Sequence, residues 1–157
     1  MGRKGSIAAG AVGLLALASA TFTFAGCSEA PPAPAMPLAQ FCGDGNKPPL
    51  GGDKKPARAQ VEGYVQMPSL FVMCDTTCLF MVTQDREGKG ARVGASFRVG
   101  SSDGHLERPT NNFTASDVKL HAREGKLVDL TKPVKISGHR IGQDEKSCVM
   151  VVDRIEQ

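Results

Sequence analysis

From residue 60 to its end, this 157-residue chain alternates apolar and polar positions. In "QVEGYVQM" the odd positions Val61, Gly63, Val65 and Met67 share one face, as in a strand whose successive side chains point to opposite sides. "ARVGASFRV" sets Ala91, Val93, Ala95, Phe97 and Val99 against Arg92, Ser96 and Arg98, and "DVKLHA" repeats the pattern with Val118, Leu120 and Ala122. The apolar runs Leu70 to Met73 and Leu79 to Val82 flank Asp75, Thr76 and Thr77, which predicts a hairpin with a three-residue loop. "VKISGHRI" and "SCVMVVDRI" predict a closing hairpin. Turn signals fall between these runs, in "DREGKG" at 85–90, "SSDG" at 101–104, "REGK" at 123–126 and "GQDEK" at 142–146. Short, regularly spaced strands without helical periodicity predict an all-β domain over residues 60–157, a small barrel with a β-sandwich as the alternative.

Upstream, the alternation stops. Arg3 and Lys4 open the chain and Gly5 to Gly26 contains no charged residue, the profile of a secretory signal peptide over residues 1–26. Much of that run is Gly, Ala, Ser or Thr, so permanent residence in lipid is weakly driven and cleavage is expected. "FAGC", Phe24 to Cys27, resembles the lipobox of bacterial lipoproteins, where small residues precede a cysteine that is acylated and becomes the mature N-terminus. Phe24 stands where that family usually has leucine. The resemblance implies acyl chains such as palmitate on Cys27, and two chains already give firm anchoring to a bilayer. Ser28 is not the acidic retention signal, so the family's sorting implies an outer-membrane location facing the periplasm in a diderm host. Residues 27–59 carry seven of the ten prolines and predict an extended Pro/Gly-rich tether. Leu38, Phe41 and Cys42 interrupt it as a short docking segment.

Charge narrows the partners. The formal net charge is +3, and loss of Arg3 and Lys4 with the signal peptide leaves +1. So small a charge gathers few polyanions, and nucleic acid is not expected as a partner. The run Lys54, Lys55, Arg58 is expected to be solvated linker.

Four cysteines remain in the body of an exported chain, where disulfides persist. Three pairings are possible. The predicted hairpin sets Cys74 opposite Cys78 within the Cα separation a disulfide accepts. That leaves Cys42 for Cys148, tying the docking segment to the last strand. The competing chemistry is a metal or thiol-redox site built on Met73, Cys74, Cys78 and Met81, because soft sulfur ligands select copper(I) or zinc. His105, His121 and His139 add a ligand only if the fold gathers them. CxxxC is not the CxxC of thioredoxin-like redox sites.

Residues 60–157 also resemble the OB-fold domains of bacterial envelope lipoproteins, on "VEGYV", "PVKISGHRI" and the final strand "CVMVVDRIEQ". The resemblance implies a barrel in which Gly63 and Gly138 allow sharp strand bends. The family places a helix between its third and fourth strands, whereas "FTASDVKLHAREGKLVDL" predicts strand, turn, strand. OB folds bind ligands on one sheet face, and Tyr64, Arg92, Arg98 and His139 are the expected binding face here. "SDVK" and "EGKG" lack the partner motifs of penicillin-recognising enzymes and phosphate loops, and no nucleophile elbow is present. The expectation is a lipid-anchored envelope protein with no enzymatic activity and no cofactor, binding a protein or glycan partner.

Overall fold

The structure, a computed structural model, describes residues 32–50, 55–67, 74–100, 106–108, 114–122 and 125–157. The signal peptide, Cys27, Lys54, the apolar run 70–73 with Met73, His105 and the turn at 101–104 lie outside the described residues. Five strands form the body: β1 (Arg58–Gln66), β2 (Thr77–Thr83), β3 (Arg92–Arg98), β4 (Val134–Ile141) and β5 (Val149–Glu156). They close into a ring in the order β1-β2-β3-β5-β4, antiparallel except for the parallel pair β3–β5. The domain is therefore an all-β, OB-like closed barrel, and the sandwich alternative is set aside because one ring replaces two stacked sheets.

Alternation places the core as the sequence predicts. Val61 and Val65 on β1, Phe80 and Val82 on β2, Val93, Ala95 and Phe97 on β3, Val134 and Ile136 on β4, and Met150 and Ile155 on β5 are all buried inside the ring. Phe80 and Phe97 meet edge to face with ring centroids 5.7 Å apart, a geometry that aligns a ring edge with a π face.

Two glycines let the ring close. β1 pairs with β4 from Arg58 to Gly63 and with β2 from Tyr64 to Gln66, so the strand changes partners at Gly63. A Cβ there would lie 2.6 Å from the Thr83 carbonyl oxygen, closer than packed atoms approach. The register between β4 and β5 slips at Ser137/Gly138, leaving Asp153 as the extra residue of a bulge, a device that bends and twists a strand. Asp153 turns outward and takes a two-pronged hydrogen bond from Arg58, at 2.7 and 2.5 Å.

The chain ahead of β1 is part of the fold. Met36 donates its N–H to Gln60 O and Gln60 donates to Pro34 O, both at 2.8 Å, so residues 34–36 pair with a stretch of β1 that β2 does not reach. A single-turn helix α1 (Leu38–Phe41) then buries Leu38 and Phe41. Cys42 is bonded to Cys148, with Cα atoms 5.8 Å apart. Beside this link the buried Arg140, on the inner face of β4, donates to Gly43 O at 2.8 Å and Gly142 O at 3.1 Å. Residues 33–46, which composition assigns to a tether with a docking segment, thus form a clasp packed on the barrel. Their prolines suit it: Pro37 caps α1 with an extended backbone.

Between β3 and β4 the described residues make single bridges, Val99 to Leu106, Leu106 to Leu120 and His121 to Leu127, with one 3₁₀ turn at Ala115–Asp117. Leu106, Val118, Leu120, Ala122 and Val128 are buried, so this excursion covers part of the core. No described helix is long and apolar enough to cross a membrane.

Candidate functional site

Residues paired across a sheet point to the same side, so registers reconstruct the outer face of the barrel. One row runs Leu79, Ser96, Val151, His139, Arg58 and the next runs Gln66, Met81, Gly94, Val149, Ile141. Leu79 and Ile141 are 46% and 45% exposed, and Met81, Val149 and Val151 are half-buried, giving an outward apolar strip across four strands. Gly94 lies inside the strip without a side chain; a Cβ there would touch Val149 and Leu79 at 3.5 and 3.6 Å. Arg92 and Arg98 stand exposed near either end of β3, roughly 20 Å apart at the rise of a strand. Neither guanidinium has a hydrogen-bond or ion-pair partner among the described residues, whereas Arg58 is held by Asp153.

Of the four expected binding residues, Arg92, Arg98 and His139 are on this face. Tyr64 joins the row Tyr64, Thr83, Arg92 but opens onto a different feature. A cleft of about 650 Å³ lies at the barrel mouth, walled by Val65, Met67, Phe80, Val118, Val128 and Leu130 and edged by Tyr64, Gln66, Arg86, Ser116, Asp129 and Thr131. Asp129 is satisfied within its own loop. Its carboxylate accepts the N–H and hydroxyl of Thr131 at 3.0 and 2.6 Å and sits 3.3 Å from Lys132 Nζ, and these bonds hold its pKa below the usual range.

Pattern reasoning missed the apolar strip and Arg86. The strip had a signal: "LFMV" and "VMVV" are unbroken apolar runs, and a strand buried on one face needs only every second residue apolar. Arg86 had none, because turn residues carry no periodicity.

The sulfurs are paired as Cys42–Cys148 and Cys74–Cys78, the second pair with Cα atoms 4.5 Å apart. Oxidised sulfur is no thiolate ligand, so in this state Cys74 and Cys78 offer a metal no anionic donor. Met81 lies in the outer strip. His121 is near Gly125 O and 3.4 Å from Glu107, in an isolated bridge outside the barrel strands, whereas His139 is on β4. That contact, then Lys119, holds the Glu107 pKa below its ordinary value. Among the described residues no three His, Cys, Asp or Glu side chains cluster as a metal site.

The fold and these two surfaces define a small disulfide-braced β-barrel with an outward apolar strip and a mouth cleft. No protein-family model, curated protein or solved structure matches the chain.

Proposed function

We propose that this protein is an envelope lipoprotein, anchored through acylated Cys27, whose barrel is a binding module for a protein or glycan partner. The observation that carries the binding role is the apolar strip of Leu79, Met81, Val149, Val151 and Ile141 beside the exposed Arg92 and Arg98, which have no partner among the described residues. An apolar centre with arginine at its margin is the usual anatomy of a protein interface. A contiguous exposed apolar patch is also uncommon without a partner. A glycan site would want an aromatic platform, and Tyr64 sits at the margin, so the strip favours a protein. The anchor rests on the signal-like start and "FAGC". In a diderm host the reading places the protein at the outer membrane facing the periplasm, and it assigns no catalytic step.

Crosslinking in intact cells followed by mass spectrometry tests the module. Partners captured by the native chain should disappear with Leu79→Asp combined with Arg98→Glu, and equal capture by both chains would defeat the proposal. Labelled palmitate should enter the precursor and be absent after Cys27→Ala. A count of free thiols on native protein should give none among Cys42, Cys74, Cys78 and Cys148. Two free thiols at Cys74 and Cys78 together with bound copper or zinc would instead support metal handling by Met73, Cys74, Cys78 and Met81.

A further inference from the structure

The mouth cleft carries a chemistry of its own, independent of the docking strip. Its volume of about 650 Å³ falls in the range of small-molecule sites. Its wall is continuous with the core, since Phe80 is fully buried and Val65, Val118 and Val128 are buried beside it. Water held against such a wall gains little, and an apolar chain replacing it is favoured.

The two charged residues of the lining are unequal. Asp129 is answered by Thr131 and Lys132. Arg86 uses only its carbonyl oxygen, which accepts from Gln66 Nε2 at 2.5 Å, and its guanidinium has no partner among the described residues. The Tyr64 hydroxyl is likewise without a hydrogen-bond partner there. An apolar wall that ends in a cation and a hydroxyl, neither with a partner among the described residues, selects a ligand with the matching halves. A bare anion leaves the wall wet, a sugar buries hydroxyls against Met67 and Leu130, and a cationic amphipath meets Arg86 with like charge. We infer that the cleft binds an aliphatic chain bearing an anionic head, the chain lying along Met67 and Leu130 over the buried floor at Phe80 and the head accepting hydrogen bonds from Arg86 and Tyr64. Fatty carboxylates and lysophospholipids share this chemistry.

Tyr64 is the single tyrosine of a chain without tryptophan, so tyrosine emission reports on the cleft alone. The purified full chain is titrated with decanoate, a ten-carbon lysophosphatidic acid, decanol and decyltrimethylammonium, with thermal denaturation as a second readout. Saturable binding of either anion is expected, with decanol about tenfold weaker, the value of one charge-assisted hydrogen bond. Arg86→Gln should weaken the anion about tenfold and leave decanol unchanged, and Arg86→Lys should recover part of the loss. Arg86 is exposed on a turn, so both variants retain the fold. The anion that binds more tightly names the source of the ligand. The inference is overturned by equal affinities for decanoate and decanol, by preference for the cation, by no saturable binding in either readout, or by an Arg86→Gln variant that binds the anion as the native chain does.

Discussion

At Gly138 a single methyl group decides whether β4 and β5 can meet, because a Cβ there would run into the backbone carbonyl of Val151. Gly138→Ala should cost about 2–3 kcal/mol in urea denaturation, the scale of overpacking against a backbone that cannot retreat. Gly94→Ala, whose added carbon meets only ordinary contacts at 3.5 Å and beyond, should stay within about 0.5 kcal/mol. Arg140 poses a different balance. It is buried, and among the described residues no carboxylate is in hydrogen-bond contact with it and Nη2 has no partner; its two bonds go to Gly43 O in the clasp and Gly142 O in the turn after β4. Arg140→Met keeps the apolar stem and removes a desolvated charge, so the two effects offset in global stability. The clasp should nevertheless loosen, and amide exchange at Asn46 and Lys47 should speed while the unfolding midpoint barely moves. Glu156 is one of the carboxylates, with Asp44, Glu107, Asp117, Asp129 and Asp144, whose lowered pKa makes stability depend on pH. Its carboxylate accepts from Arg154 at 2.5 Å and Gln60 at 2.8 Å, and the Arg154 bond, ahead of other causes, lowers its pKa from 4.5. A depressed carboxylate stabilises the fold above its unfolded pKa, and that contribution is lost as pH falls through the lower folded value. Denaturation midpoints between pH 5 and about 2 should therefore fall more steeply for the native chain than for Glu156→Gln.

Among the elements, the two disulfides constrain the unfolded chain unequally. Cys42–Cys148 spans a sequence separation of 106 and Cys74–Cys78 only 4. In the chain-entropy account the long link contributes about 4.7 kcal/mol and the short one about 2. Paired cysteine-to-alanine variants should thus separate clearly in chemical denaturation, Cys42/Cys148 losing roughly twice as much. The five barrel strands were legible from alternation, whereas Val118, Leu120 and Ala122 alternate and are buried yet their stretch makes single bridges rather than the expected strand, turn, strand, because that excursion covers the core without joining the ring. β1 and β3 follow the Val61/Val65 and Val93/Ala95/Phe97 alternations residue for residue, and the β4–β5 hairpin falls where "VKISGHRI" and "SCVMVVDRI" place it. The clasp was only partly legible. Leu38 and Phe41 announce docking, but the pairing of Ala35 with Gln60 uses backbone atoms alone and leaves no trace in side-chain pattern. The bulge at Ser137/Gly138 was hidden for a related reason: its extra residue, Asp153, is an ordinary outward polar position until the register of the neighbouring strand is known.

At the scale of the whole molecule, ring closure depends on β3 lying parallel to β5, although β4 and a long excursion separate them in sequence. No local pattern encodes that pairing. It is also what aligns Leu79, Val149, Val151 and Ile141 into one strip, so the proposed docking face emerges only from topology. Because the strip faces outward, Leu79→Asp and Ile141→Asp should leave the unfolding midpoint within about 0.5 kcal/mol of native while abolishing partner capture, a split that a core role for these residues would not give. The covalent link from the clasp to the final strand also sets how the molecule bears tension. If the chain is drawn out from both ends, the load crosses from Cys42 to Cys148 through sulfur and leaves through β5. Everything between these cysteines hangs on a slack loop. In single-molecule stretching the oxidised protein should lengthen only by its clasp and last strand, and the full contour of the barrel should appear only after reductant is added.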